Sequence, residues 1–291
     1  MSNIWSKYIQ GPKTLYCSRK LRFHDLFSSQ FKQLFSLPNN QKIKILEIGC
    51  GPGALAGALH RWYPLAEITA IDLDGEFIRY AKSHEPGVNF LEGNATQLPF
   101  DDNTFDVTIS NTVSEHISPA AFYAEQYRVL KTNGICLVLS SRKGISVKAE
   151  CLKENDVEQA FWEKANKIDD TLEKYGVGQY HMNEAELPLV MAKFNFHNVS
   201  TGYAMIDLTP DNPGIPLEMA LDIINAERYN DLESVESIFY KFPNFFTLEE
   251  IQDMKRIINV KYDARIVDYQ QGNKHWDTNV LITMVIRGIK Q

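Results

Sequence analysis

The stretch Ile45-Leu46-Glu47-Ile48-Gly49-Cys50-Gly51-Pro52-Gly53-Ala54-Leu55 restricts what this chain can fold into more than any other. An apolar run is halted by alternating glycines, and helix-forming residues follow at once. Glycine lets the backbone pass close to a bound ligand, and the helix behind it opens with N–H groups that have no intrahelical partner. Gly49-x-Gly51-x-x-Ala54 satisfies the GxGxxG/A pattern of a nucleotide-binding loop. Asp72 closes the next β-branched run, nineteen residues after Gly53. A carboxylate there can accept charge-assisted hydrogen bonds from two ribose hydroxyls. Asp74 reads as a bystander. On these residues alone, a nicotinamide cofactor and a methionine-derived one fit equally.

The rest of the chain sets the loop in a parallel sheet. Strands are predicted at Ile43–Gly49, Glu67–Asp72, Val88–Glu92, Phe105–Ser110 and Gly134–Leu139, with helices at Ala54–Trp62, Glu76–Ser83 and Pro119–Leu130 between them. Alternation at this pace implies right-handed βαβ crossovers and a sheet covered on both faces. Further on, Val157, Phe161, Ala165, Ile168, Leu172 and Tyr175 recur at helical spacing. Glu184–Phe194 and Leu217–Phe239 read as helices, and Thr247-Leu248-Glu249-Glu250 as a capping box. A sixth strand is expected at Val199–Leu208, and a last strand at Asn279–Ile289 that closes the sheet. Ala264–Tyr269 is a candidate for an additional strand. Residues 1–40 are aromatic-rich, end at Leu37-Pro38-Asn39-Asn40, and read as two short helices.

Composition narrows the partners. The formal net charge of −7 disfavours a polyanionic partner such as nucleic acid, since that affinity comes mainly from Lys and Arg neutralising phosphates. Lys13, Arg19, Lys20 and Arg22 form a local basic cluster that reads as a solvated helix face. No apolar run approaches the roughly 20 residues needed to span a bilayer, and the first thirty residues lack the apolar segment of a secretory signal. Cys17, Cys50, Cys136 and Cys151 have no metal-binding spacing and read as reduced thiols of a cytoplasmic protein. No metal site is expected, and a homodimer is compatible with the chain.

A later region separates the cofactor classes. Phe90-Leu91-Glu92-Gly93-Asn94-Ala95-Thr96-Gln97-Leu98-Pro99-Phe100 leads into Phe105-Asp106-Val107, and Arg128-Val129-Leu130-Lys131-Thr132-Asn133-Gly134 precedes the fifth strand. Together with Glu47–Gly53 and Asp72, these motifs resemble the class I S-adenosylmethionine-dependent methyltransferases, closest to the ubiquinone/menaquinone-type small-molecule branch. The resemblance covers roughly residues 41–142. It implies a Rossmann-like α/β fold with a seven-stranded, mostly parallel sheet and helical cap insertions at about 153–175 and 217–258. Residues 1–40 would form an N-terminal helical lid on a methyltransferase domain spanning 41–291.

By the same resemblance, S-adenosylmethionine is the cofactor. Gly49, Gly51 and Gly53 would pass its methionine and ribose portions, Asp72 would hold the ribose, and Leu73 would pack on the adenine. Asn94 and Ala95 would address the adenine edge, Asn94 standing where the family has Asp. Glu47, Cys50 and Asn111 complete the expected cofactor set. The reaction implied is in-line transfer of a methyl group to a small-molecule acceptor, with a base needed only if the acceptor keeps its proton. His116, in the right pKa range, is the candidate base, and Tyr16 a second candidate catalytic group. Tyr8, Arg19, Arg22 and other N-terminal side chains are candidates to close over the site. The alternatives are a nicotinamide-dependent oxidoreductase, against which Leu98-Pro99-Phe100 and Phe105-Asp106 speak, and a non-catalytic cofactor-binding scaffold.

Overall fold

The computed structural model describes residues 5–168 and 175–291. After a wide helical turn at Trp5–Ile9 come α1 (Pro12–Arg22) and α2 (Ser28–Phe35). Then β1 (Lys44–Ile48), α3 (Ala54–Trp62), β2 (Glu67–Asp72), α4 (Gly75–His84), β3 (Asn89–Glu92), β4 (Phe105–Asn111), α5 (Pro119–Val129) and β5 (Leu130–Val147) follow. The second half supplies α6 (Asp156–Ala165), α7 (Glu186–Lys193), β6 (Phe196–Asp207), α8 (Leu217–Lys241), α9 (Leu248–Gln270) and β7 (Thr278–Lys290).

All seven strands join one sheet in the order β3-β2-β1-β4-β5-β7-β6. The first five are parallel, and β7 runs antiparallel to both of its neighbours. This is the expected Rossmann-like sheet, with one difference in strand placement. The last strand does not close the sheet at an edge. It inserts between β5 and β6, and β6 is the edge, with Tyr203 and Met205 exposed. The apolar run Met284-Val285-Ile286 is buried on both faces, which an interior position demands.

β1 carries the same logic. Ile45, Leu46 and Ile48 are fully buried, Leu46 and Ile48 against Ile71, Phe105 and Val129, and Ile45 against the α3 side. Burying each such side chain is worth about 1.5–3 kcal/mol, which fixes β1 at the centre. Its register aligns Ile48 with Ile71 and with Ser110. The chain therefore leaves β1, β2 and β4 along one carboxyl edge, at the point where crossovers diverge to opposite faces and ligands bind in open α/β sheets.

Two expectations fail in the cap region. Ala264–Tyr269 is helix, not strand, because the capping box of Thr247 and Glu250 starts α9 and the helix runs on through Tyr262 and Arg265, both buried. The helix expected at 153–175 is α6, started by a capping box at Asn155 and Glu158 and ending at Ala165, and Leu172, expected on its apolar stripe, lies outside the described residues. Phe161 of α6 packs with Ile224 and Val235 of α8 and with Met254 and Ile258 of α9 in a separate apolar cluster. No helix of the described residues is long and apolar enough to cross a membrane.

Candidate active site

A cavity of ≈ 530 Å³ opens at the carboxyl edge of β1, β2 and β4. Glu47, Gly49, Cys50, Gly51, Asp72, Leu73, Asn94, Ala95, Asn111 and His116 all line it. Sequence positions more than sixty residues apart thus converge because strand ends in a parallel sheet share one side.

The glycines differ in what they do. Gly49 has φ +68°, and a Cβ there would lie 2.4 Å from Val113, so the turn off β1 admits no side chain. Gly51 has φ +53° and faces open space apart from Leu15, leaving its backbone bare to the cavity. Gly53 does not line the cavity. It caps α3 at φ +91°, with Phe90 and Ala81 within 3 Å of where a Cβ would stand, so its work is packing.

Asp72 is held in place by the backbone. One carboxylate oxygen accepts the Gly51 N–H at 2.8 Å and the other accepts the Asp74 N–H at 2.9 Å. Each oxygen keeps a lone pair for a hydroxyl donor. Burial pushes its pKa up to about 6, opposed by those two N–H groups. Burial, with Asp72 nearby, pushes the Glu47 carboxyl well above its usual range, and Glu47 Oε2 has no partner among the described residues. Asn111 Oδ1 is likewise buried without a partner. Two orphaned acceptors and an anchored carboxylate on one cavity wall match a ligand that brings an ammonium group and ribose hydroxyls. The residues therefore fit S-adenosylmethionine. Burial, with Asp72 and Glu47 beside it, pushes the Cys50 thiol well up, which keeps it protonated and unreactive.

Several expected roles change. The Asn94 side-chain oxygen accepts both the backbone N–H and the hydroxyl of Thr96, each at 2.9 Å. Both lone pairs are used, so this oxygen is not free for an adenine amino group. Tyr16 does not line the cavity. Its hydroxyl donates to Glu85 at 2.7 Å and its ring packs on Tyr80 and His84, so burial and Glu85 raise its pKa and it has no contact with the site. His116 lines the cavity with its ring edge on Trp5, but its Nδ1 accepts the Gly178 N–H at 2.9 Å. In the neutral ring the proton then sits on Nε2, which cannot accept another. Burial lowers its pKa against the opposing influence of Glu115 and the Thr112 backbone. Neighbouring Glu115 takes the Tyr180 N–H on its carbonyl at 2.9 Å, so this pair of residues anchors the 175–180 turn at the rim.

The N-terminal segment contributes Trp5, Gln10, Leu15, Arg19 and Phe23 to the cavity wall. Tyr8 instead stacks on Tyr175, and Arg22 reaches Ser141. Sequence reasoning set Asp74 aside, yet it is buried and accepts hydrogen bonds from Ser6 as well as capping α4. Its spacing from Asp72 gave no signal, because its partner lies 68 residues away.

Residues 46–138 match the methyltransferase domain family. This part of the chain is similar to methyltransferase domains. It is 39% identical over 95 residues to a phthiotriol/phenolphthiotriol dimycocerosates methyltransferase of Mycobacterium tuberculosis, a stretch covering 31% of this chain and 35% of that protein. It is 33% identical over 101 residues to a ubiquinone/menaquinone biosynthesis C-methyltransferase of Desulfotalea psychrophila, covering 34% and 41% respectively. The chain thus spans well under half the length of these curated relatives. The fold of the whole chain is similar to that of phosphoethanolamine N-methyltransferase 2 of Haemonchus contortus, solved with S-adenosyl-L-methionine. That likeness covers 100% of this chain and 60% of the other at 16% identity, with a TM-score of 0.53. The matched residues take in most of β1, all of β2, β3 and β4, the first half of β5, the glycine loop, Asp72 and Asn94–Ala95, whereas the caps and the N-terminal segment lie outside them.

Proposed function

We propose that this chain transfers the methyl group of S-adenosylmethionine to a small-molecule acceptor by in-line displacement. The observation that carries this is the meeting of Asp72, Glu47 Oε2 and Asn111 Oδ1 on the wall of one cavity, each with acceptor capacity to spare. The cofactor, when bound, supplies an electrophilic methyl on a sulfonium. Asp72 would hold the ribose hydroxyls, while Glu47 and Asn111 would take donors of the methionine portion. Gly51 leaves its backbone open to close approach, and Leu73, half exposed at the cavity, offers an apolar face for the adenine. Trp5, Leu15 and Phe23 would exclude water from the transfer and act as part of a lid.

His116 is not placed to take a proton at this wall. With His116 Nδ1 occupied by Gly178, the ring serves to hold the rim. Calorimetry with S-adenosylhomocysteine, followed by a metabolite screen with labelled methyl donor, tests the reading. Micromolar binding and label transfer to a small molecule are expected, and a chain that binds NAD(H) but not S-adenosylhomocysteine would overturn it.

A further inference from the structure

Arg19 and Arg22, one turn apart on α1, are partly or fully withdrawn from water, and neither forms an ion pair with a carboxylate among the described residues. Arg22 is 6% exposed, donates from Nη1 to Ser141 Oγ at 2.6 Å, and has no partner for Nε among the described residues. Among the described residues, the charge that bears on it is Arg19, which is repulsive and adds to the effect of burial in lowering its pKa. The acid that bears on Arg19 among the described residues is Glu115, across the first cavity. An unpaired buried guanidinium is costly, and two side by side are more so.

They border a second cavity of ≈ 380 Å³, between α1, the far ends of β5 and β6, and α8. Gln10 and Arg19 line both cavities, so the two are adjacent at that point. Leu21, Leu208, Ile223 and Leu281 give the second cavity apolar walls. Its acids lie on α8: Asp231 accepts the Tyr262 hydroxyl at 2.9 Å and pairs with Lys148, and Glu227 takes a long hydrogen bond from Asn279. Neither pairs with Arg22.

Resting on the methyl-transfer reading above, we infer that the second cavity is the acceptor pocket and that Arg22, with Arg19 at the junction, binds an anionic group of a small acceptor with an apolar body. Ser141 fixes one terminal nitrogen and leaves the Nε–Nη2 edge of the guanidinium, the edge whose parallel N–H bonds match a carboxylate or phosphate. Arg19 alone could instead serve the carboxylate of the cofactor, because it reaches the first cavity. Arg22 lines only the second, so Arg22 separates the two assignments.

The test is titration of the full chain, saturated with S-adenosylhomocysteine, with benzoate, phenyl phosphate, benzamide and benzyl alcohol. At least one anion should bind tenfold or more tightly than both neutral compounds, and the better of the two anions tells a carboxylate site from a phosphate site. Arg22→Gln should cut anion affinity tenfold or more and leave affinity for S-adenosylhomocysteine within about twofold, with Arg22→Lys restoring only part. Equal binding of benzamide and benzoate, or no anion binding at all, would overturn the proposal, and this comparison needs no variant. Loss of S-adenosylhomocysteine affinity in a folded Arg22→Gln chain would overturn it too, by assigning Arg22 to the cofactor. A wild-type chain that does not bind S-adenosylhomocysteine would instead overturn the methyl-transfer reading on which it rests.

Discussion

The Asp74 carboxylate holds Ser6 twice, accepting its backbone N–H at 2.9 Å and its hydroxyl at 3.0 Å. The same carboxylate caps α4 through the Glu76 N–H, and Asp74 follows the proposed ribose acid by two residues. One buried side chain thus couples the N-terminal segment to the strand end that carries Asp72. Ser6→Ala removes one hydrogen bond to a charged group, worth about 1.5–3 kcal/mol at most, and leaves the α4 cap intact. Faster hydrogen exchange in residues 5–10 and several-fold faster dissociation of S-adenosylhomocysteine are expected, with melting temperature little changed. Asp74→Ala should do the same and also cost about 1 kcal/mol of stability through the lost cap. Unaltered exchange in both variants would mean that the segment is docked by its apolar contacts alone.

Asp72 gives a pH signature. Its carboxyl is raised to about 6 by burial, above the ordinary unfolded value. For a raised acid, the stabilising contribution is present below the unfolded pKa and is lost as pH rises through about 6. Wild type should therefore lose stability relative to Asp72→Asn between about pH 4 and 7. Cofactor affinity should run the opposite way, since ribose hydroxyls bind the charged form better: it should weaken as pH falls through 6 in wild type and stay flat in Asp72→Asn. Asp72→Ala should lower affinity by about 3 kcal/mol, on the order of 100-fold. Calorimetry across pH 5–8 reads both, and parallel curves for wild type and Asp72→Asn would remove Asp72 from the binding site.

His116 separates anchoring from base catalysis. Its hydrogen bond to Gly178 and edge contact with Trp5 predict that His116→Ala raises KM, speeds exchange at the Gly178 amide, and leaves the pH profile of kcat unchanged. Loss of one neutral hydrogen bond corresponds to about 1 kcal/mol, or less than tenfold in kcat/KM. A general base would show about a 10²–10⁴-fold fall in kcat and loss of the acidic limb of the profile. That second outcome would reinstate the base and require Gly178 to let go during turnover.

The contrast between Asp72 and His116 shows which features the sequence could convey. The loop, the acid and the strand ends are local patterns imposed by a parallel sheet, in which a β-branched run followed by glycine leaves few alternatives. Thus Gly49, Asp72 and Asn111 meet because β1, β2 and β4 are neighbours in register. What His116 does depends on a backbone N–H that is 62 residues away in an irregular turn, and no periodicity announces such a partner. The same holds for Tyr16 and Glu85, and for Ser6 and Asp74. The place of β7 was hidden for another reason: an apolar strand reads alike at an edge or in the interior unless its neighbours are known. Ala264–Tyr269 misled because its alternating apolar residues belong to a helix whose start signal stands seventeen residues earlier, at Thr247.

Arg265 tests how that helix is tied to the sheet. Its guanidinium is fully buried, donating to Asp277 at 2.6 Å and to Asp211 at 2.9 Å. Asp211 also accepts the backbone N–H groups of His275 and Trp276, so the arginine joins α9 to the turn that leads into β7. Removing one partner of a buried ion pair leaves the other charge uncompensated and costs about 3–5 kcal/mol. Asp211 would keep its two backbone donors, whereas Asp277 would lose its partner, so the penalty should fall mainly on Asp277. Arg265→Ala is therefore expected to lose about 3–5 kcal/mol in urea unfolding, and adding Asp277→Asn should recover part of it, the non-additivity measuring the pair directly. Cofactor binding, on the far side of β4, should change little at temperatures where the variant stays folded. Additive losses from the two substitutions, or a loss below about 1 kcal/mol for Arg265→Ala, would show that α9 is held by its apolar cluster with Phe161 and Val235 and that the buried charges are incidental.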